Sequence, residues 1–67
     1  MMVTVRLSPE DKVMVYDGRD GDTYEDALLS LGINPDIVLI FCKGVSLPQD
    51  KVIKEPEVEI VSTCSRG

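Results

Sequence analysis

At 67 residues, with no histidine and a formal charge of −5, the chain has room for one small domain and lacks the usual neutral-pH general base. A domain this short buries only about 60% of the surface its unfolded chain exposes, which leaves no volume for a large internal active site. The acidic balance argues against nucleic acid and anionic membranes as partners, since both demand clustered Lys and Arg for phosphate contact.

The opening run MVTVRL (2–7) alternates, with Val3, Val5 and Leu7 on one side and Thr4 and Arg6 on the other. That is the period of a strand with one buried face. SPEDK (8–12) is a cluster of turn formers, and KVMVYDG (12–18) alternates again with β-branched and aromatic residues. So short a connection predicts an antiparallel hairpin. GRDGD (18–22) breaks the pattern. Its Asp17, Gly18, Gly21 and Asp22 have neither EF-hand nor phosphate-loop spacing, so a turn is the reading.

A helix start follows. Asp22 with Glu25, or Thr23 with Asp26, supplies a capping pair, and Tyr24, Ala27, Leu28 and Leu31 fall on one apolar face. Gly32 offers the left-handed residue that ends the helix, Ile33 a hydrophobic contact after it, and Pro35 a block to resumption. DIVLIFCKG (36–44) is apolar on both faces, which predicts an interior strand covered on at least part of each side. Lys43-Gly44 reads as a tight turn into a short strand, VSL (45–47). PQDKVIKEP (48–56) reads as a loop or single helical turn with Val52 and Ile53 packed inward. In EVEIVS (57–62), Val58 and Ile60 point in while Glu57 and Glu59 point out.

The order β-β-α-β-β-β predicts a two-layer α+β domain over residues 1–62, with one helix covering one face of a mixed sheet. If the first and last strands pair in the middle of that sheet, residues 63–67 project from it as a flexible tail. Should Val38 and Ile40 face the helix, Leu39 and Phe41 turn outward and become the expected partner-binding residues, with Phe41 the best anchor.

Self-sufficient chemistry is hard to find along this chain. Glu10-Asp11, Glu25-Asp26 and Glu57/Glu59 occupy a turn, a helix's first turn and a strand's solvated face, where carboxylates ordinarily only solvate. Ser62 and Ser65 have no histidine to activate them. Cys42 and Cys64 lack metal-ligand spacing; Cys42 reads as a small buried hydrophobe, and Cys64 as an exposed thiol with only Arg66 beside it. The longest apolar run, IVLIFC (37–42), cannot span a bilayer, and no signal peptide is visible, so the cytoplasm is the expected location. What remains is the carboxylate of Gly67, whose residue brings no side chain near a reacting carbonyl.

The stretches GDTYEDALLSLGINPDIVLIFCKG and SLPQDKVIKEPEVEIVSTCSRG resemble the ubiquitin-like sulfur carriers ThiS and MoaD and the archaeal small modifier proteins close to them. In that family a TVEDLL-like helix leads to LGI, then a VLVxVNG strand and turn, a VP loop, a D-x-VEI strand and a terminal Gly-Gly. The likeness covers nearly the whole chain, through short and mostly structural motifs. It implies a β-grasp fold, no cofactor held by the carrier, and a monomer served by an E1-like adenylating enzyme. Sulfur-acceptor synthases or target proteins would be the later partners. By the same resemblance Gly67 is the residue activated and converted to a thiocarboxylate, with Ser65 and Arg66 threading into the partner. Arg66 departs from the family's penultimate glycine. Such a side chain either blocks a narrow channel or is read by acidic residues lining a divergent one.

Overall fold

A computed structural model describes residues 1–8 and 10–63. Strands β1 (Met2–Ser8) and β2 (Lys12–Asp17) form the expected hairpin, followed by helix α1 (Tyr24–Ser30) and a 3-10 turn at Pro35–Ile37. β3 (Val38–Cys42), β4 (Val45–Leu47) and β5 (Glu57–Ser62) complete a five-stranded sheet in the order β2-β1-β5-β3-β4. The central pair β1–β5 is parallel and the other pairs are antiparallel. This is the ubiquitin-like β-grasp, with the first and last strands side by side as the sequence suggests.

One face of the sheet packs on α1. Val3, Val5, Val38, Ile40, Val58 and Ile60 meet Tyr24, Ala27 and Leu28 of the helix, and Ile53 closes the core from the long loop. Each buried Val, Leu or Ile of this set contributes on the order of 1.5–3 kcal/mol by leaving water. Strand alternation places the six strand residues of this core where the sequence period puts them.

The helix N-terminus shows why the 48–56 segment lies where it does. Thr23 is the N-cap: its hydroxyl accepts the Asp26 N–H, and the Asp26 carboxylate accepts the Thr23 N–H. Of the two capping pairs the sequence offers, Thr23 with Asp26 forms. Two first-turn donors remain, and the loop takes both: Tyr24 N–H donates to the Lys51 carbonyl at 3.2 Å and Glu25 N–H to that of Gln49 at 2.9 Å. Every orphan N–H of the first turn thus has a partner. The Tyr24 hydroxyl donates to the Glu55 carboxylate, which also pairs with Lys51 at 3.1 Å. Burial, then this bond, pushes the Tyr24 hydroxyl pKa up; the same bond, with help from Lys51, holds Glu55 below the usual carboxylate range.

Docking the loop on the helix end has a consequence for its two apolar residues. Ile53 enters the core, but Val52 is exposed and bridges Thr23 through backbone pairing. The expectation that both pack inward is corrected: consecutive residues of extended backbone point to opposite sides.

At the helix C-terminus, Gly32 N–H donates to Leu29 and Ile33 N–H to Leu28, with Gly32 at φ +78°. This is the Schellman arrangement that the Leu31-Gly32-Ile33 run predicts. The β3–β4 turn holds Lys43 and Gly44 both at positive φ, as a two-residue type I′ hairpin requires. Beyond β5, Thr63 N–H still donates to the Ile37 carbonyl at 2.7 Å. The expectation of a flexible tail falls chiefly on residues 64–67, which lie outside the described residues. No helix of the described chain is long and apolar enough to cross a membrane.

Candidate functional site

The sheet has a second face, and among the described residues no helix covers it. Pairing registers lay its side chains out in rows. Val13 of β2, Arg6 of β1, Glu59 of β5, Phe41 of β3 and Ser46 of β4 stand opposite one another across the whole sheet. Ser8, Val61 and Leu39 make the next row, and Val15, Thr4 and Glu57 the row on the other side.

Phe41 and Leu39 both point to this face, as expected from Val38 and Ile40 pointing into the core. Leu39 is 47% exposed, while Phe41 is half-buried. β3 is thus covered at Val38 and Ile40 on its core face and only in part, at Phe41, on the outer one, where among the described residues nothing packs over Leu39. Its apolar character is unexplained by core packing. The 48–56 loop, occupied with the helix N-terminus, contributes nothing to the walls around Phe41.

A shallow groove of about 280 Å³ runs beside Phe41, lined by Arg6, Lys43, Glu57, Val58 and Glu59. Both of its carboxylates have side-chain partners. The Arg6 guanidinium lies 3.1 Å from the Glu57 carboxylate, and the Ser8 hydroxyl donates to Glu59 at 2.8 Å. These exposed pairs add little stability, on the order of 0–1 kcal/mol each. Their effect is positional: they hold charged side chains at the rim of the apolar spot around Phe41.

A second cleft, of about 300 Å³, opens between the ends of β1 and β5 and the chain after α1, with Leu7, Ile33, Ile37, Val38 and Ile60 among its walls. Ser62 also lines it, so the chain leaves β5 at this rim. Cys42 points inward and is half-buried against the core, less enclosed than its reading as a buried hydrophobe. Cys64, Ser65, Arg66 and Gly67 lie outside the described residues, so the structure brings the expected docking residues together without describing the expected reactive end.

Sequence reasoning named Leu39 and Phe41 but missed Arg6 and Lys43 as neighbours of Phe41. Alternation does show that Arg6 and Glu59 face outward. Only the parallel β1–β5 register sets them in one row with Phe41.

Comparison with known proteins fits this geometry. A family model described as small archaeal modifier protein 2 matches residues 1–62. The chain belongs to the small archaeal modifier protein 2 family. The matched region ends with the last residue of β5, so it is the entire folded body of this modifier-family member that carries the likeness. A protein of Archaeoglobus fulgidus described as uncharacterized is 38% identical over 48 residues, which cover 72% of each chain.

Proposed function

We propose that this small archaeal modifier works as a protein-borne acyl group, activated at the Gly67 carboxylate by an E1-like adenylating enzyme that docks on the exposed sheet face. The observation that carries the reading is the family match over the whole folded body. The bare face around Leu39 and Phe41 supports the docking step. In activation, a Gly67 carboxylate oxygen attacks the α-phosphorus of ATP and expels pyrophosphate. The resulting acyl-adenylate loses AMP when a nucleophile attacks its carbonyl. A lysine amine of a target gives an amide, the outcome the modifier family favours. A hydrosulfide equivalent gives a thiocarboxylate for sulfur transfer, the outcome favoured by the whole-chain likeness to ThiS and MoaD. Gly67 would bring no side chain to the crowded carbonyl in either route, and the partner supplies the nucleotide site.

Incubation with ATP, magnesium and the adenylating enzyme of the source cell, followed by intact mass, tests this. An AMP adduct, an oxygen-to-sulfur exchange or an amide-linked target supports the reading and tells the two outcomes apart. An unmodified chain with every adenylating enzyme of that cell would leave a β-grasp binding module without acyl chemistry.

A further inference from the structure

The free edge of β2 carries a feature that neither the core nor the groove uses. β2 is an end strand of the sheet, and among the described residues nothing pairs with its outer edge. The other end strand, β4, is three residues long and runs into Pro48, so it is blunted in the usual ways. β2 is six residues long, and between its terminal Lys12 and Asp17 it reads Val-Met-Val-Tyr, with no charge, proline or glycine.

The hydrogen-bond phase of the hairpin decides which residues face that edge. Met1 and Gly18 exchange both backbone bonds, Gly18 N–H to Met1 carbonyl at 2.8 Å and Met1 amine to Gly18 carbonyl at 2.7 Å. In an antiparallel pair such doubly bonded positions alternate with unbonded ones. With Val3 opposite Tyr16 and Val5 opposite Met14, residues 12, 14, 16 and 18 therefore bond toward β1. Val13, Val15 and Asp17 turn their N–H and C=O groups to the open edge. The two valines are also the exposed ones, at 51% each, and Met2 stands exposed beside them on the same sheet face.

Charge where β2 finishes is net acidic: Asp17, Asp20 and, in the first turn of α1, Glu25 and Asp26 are exposed, against the exposed Arg19 and the Met1 ammonium 3.8 Å from Asp17. Asp22 ties the two elements together, accepting from the Tyr16 hydroxyl at 2.6 Å and the Arg19 N–H at 2.9 Å. Self-pairing of two β2 edges fits poorly. The three antiparallel registers that bring a valine onto a valine set Asp17 opposite the second copy's Asp11, Asp17 opposite its Val13, or Val15 opposite its Asp11, in each case a like-charge pair or a charge against an apolar side chain.

We infer that the β2 edge is a strand-addition site for an extended partner segment with apolar residues at alternate positions and basic residues flanking them. Backbone pairing to Val13 and Val15 supplies affinity, the valine side chains read the alternate apolar positions, and the net acidic charge near the strand ends favours the basic flanks. The inference does not depend on activation at Gly67.

The test uses a capped synthetic peptide with alternating valine and threonine between paired lysines, titrated into the ¹⁵N-labelled protein. The expected result is amide shifts concentrated at Val13, Val15 and Asp17, with slowed solvent exchange of the Val13 and Val15 amides. A control peptide with glutamate replacing lysine should bind at least ~10-fold more weakly, since like charges then meet across the interface. Val15→Pro should stay folded, because that N–H faces the open edge, and should lose binding. Val15→Lys, which changes only an exposed side chain, should weaken it while the fold stays intact. Shifts centred on Phe41, equal binding of both peptides, or concentration-dependent β2 shifts without peptide (a second copy as occupant) would each overturn the inference.

Discussion

Truncating Glu55 should cost more stability than removing the hydroxyl it accepts from, although the same hydrogen bond is lost both ways. Tyr24 is among the most enclosed residues of the protein, whereas the Glu55 side chain keeps 25% of its exposure and a second partner in Lys51. In Tyr24→Phe the ring still fills its place, and the released carboxylate is satisfied by water and Lys51. The loss should be that of one ordinary hydrogen bond, about 0.5–1.5 kcal/mol. Glu55→Ala leaves a hydroxyl on a buried residue without its acceptor, a penalty of about 1–3 kcal/mol, and frees Lys51 as well. The double variant should be no worse than Glu55→Ala and should recover part of its loss, because no orphan donor remains. Urea unfolding of the four proteins measures this. For a domain this small, each kcal/mol moves the thermal midpoint by roughly 4–8 °C. A Tyr24→Phe variant less stable than Glu55→Ala, or losses that simply add in the double variant, would refute the account of how the loop is tied to the helix.

The two tyrosines should resist ionisation together. Its bond to Asp22, reinforced by burial and the nearby carboxylates, pushes Tyr16 up from 10.0 to about 12, and Tyr24 is raised as well. A raised value favours the neutral hydroxyl in the fold, so this stability is complete below the ordinary value and lost as pH climbs through the folded one. Tyrosinate absorbance should stay low at pH 10 and rise with unfolding; a midpoint at the free value would contradict the assigned bonds. At the acid end, Asp22 and Glu55 lie below the carboxylate range, so their stabilisation is present above it and disappears as pH falls through their lowered values. Phe41→Ala should weaken docking to the adenylating enzyme by at least ~1 kcal/mol with the fold unchanged, and Leu39→Ala by less; unaltered affinity in both removes this face from the proposal. Deleting Gly67 should abolish adenylation, since even a ~1 Å misplacement can cost ~100-fold in rate; mass spectrometry of the reaction reads it out, and retained adenylation would exclude Gly67 as the activated residue.

The fold was legible because its signals agree at several levels. The alternation of Val3, Val5 and Leu7 and of Val58 and Ile60 marks two half-buried strands. The capping pair before Tyr24 and the Gly32 stop bound the helix within a residue or two. Where reading failed, the missing information was long-range. Nothing local says that the carbonyls of Gln49 and Lys51 are needed at the helix N-terminus, and that need turns Val52 outward. Likewise, the apolar run 37–42 has the composition of a doubly covered strand, and only the layer count shows why Leu39 is left exposed. The groove around Phe41 depends on a parallel register between segments about fifty residues apart, which no periodicity encodes.

These misreadings also separate two exposed apolar regions by cause. In a small single-core domain, apolar surface left outside the core works against solubility unless something covers it at times. Leu39 and Phe41 lie on an interior strand, Phe41 paired with β5 on one side and β4 on the other and Leu39 paired with β5, so their side chains are what this face offers, suiting a rigid face-on contact. Val13 and Val15 lie on an end strand and present side chains and unpaired backbone groups together, suiting an extended segment. Phe41 and Val15 occupy different sheet rows and opposite halves of the strand order, and Val13, which shares the Phe41 row, is separated from it by β1 and β5. Phe41→Ala and Val15→Lys should therefore act independently, each affecting its own partner. A Val15→Lys variant that weakened adenylating-enzyme docking as much as Phe41→Ala would show one continuous interface instead of two.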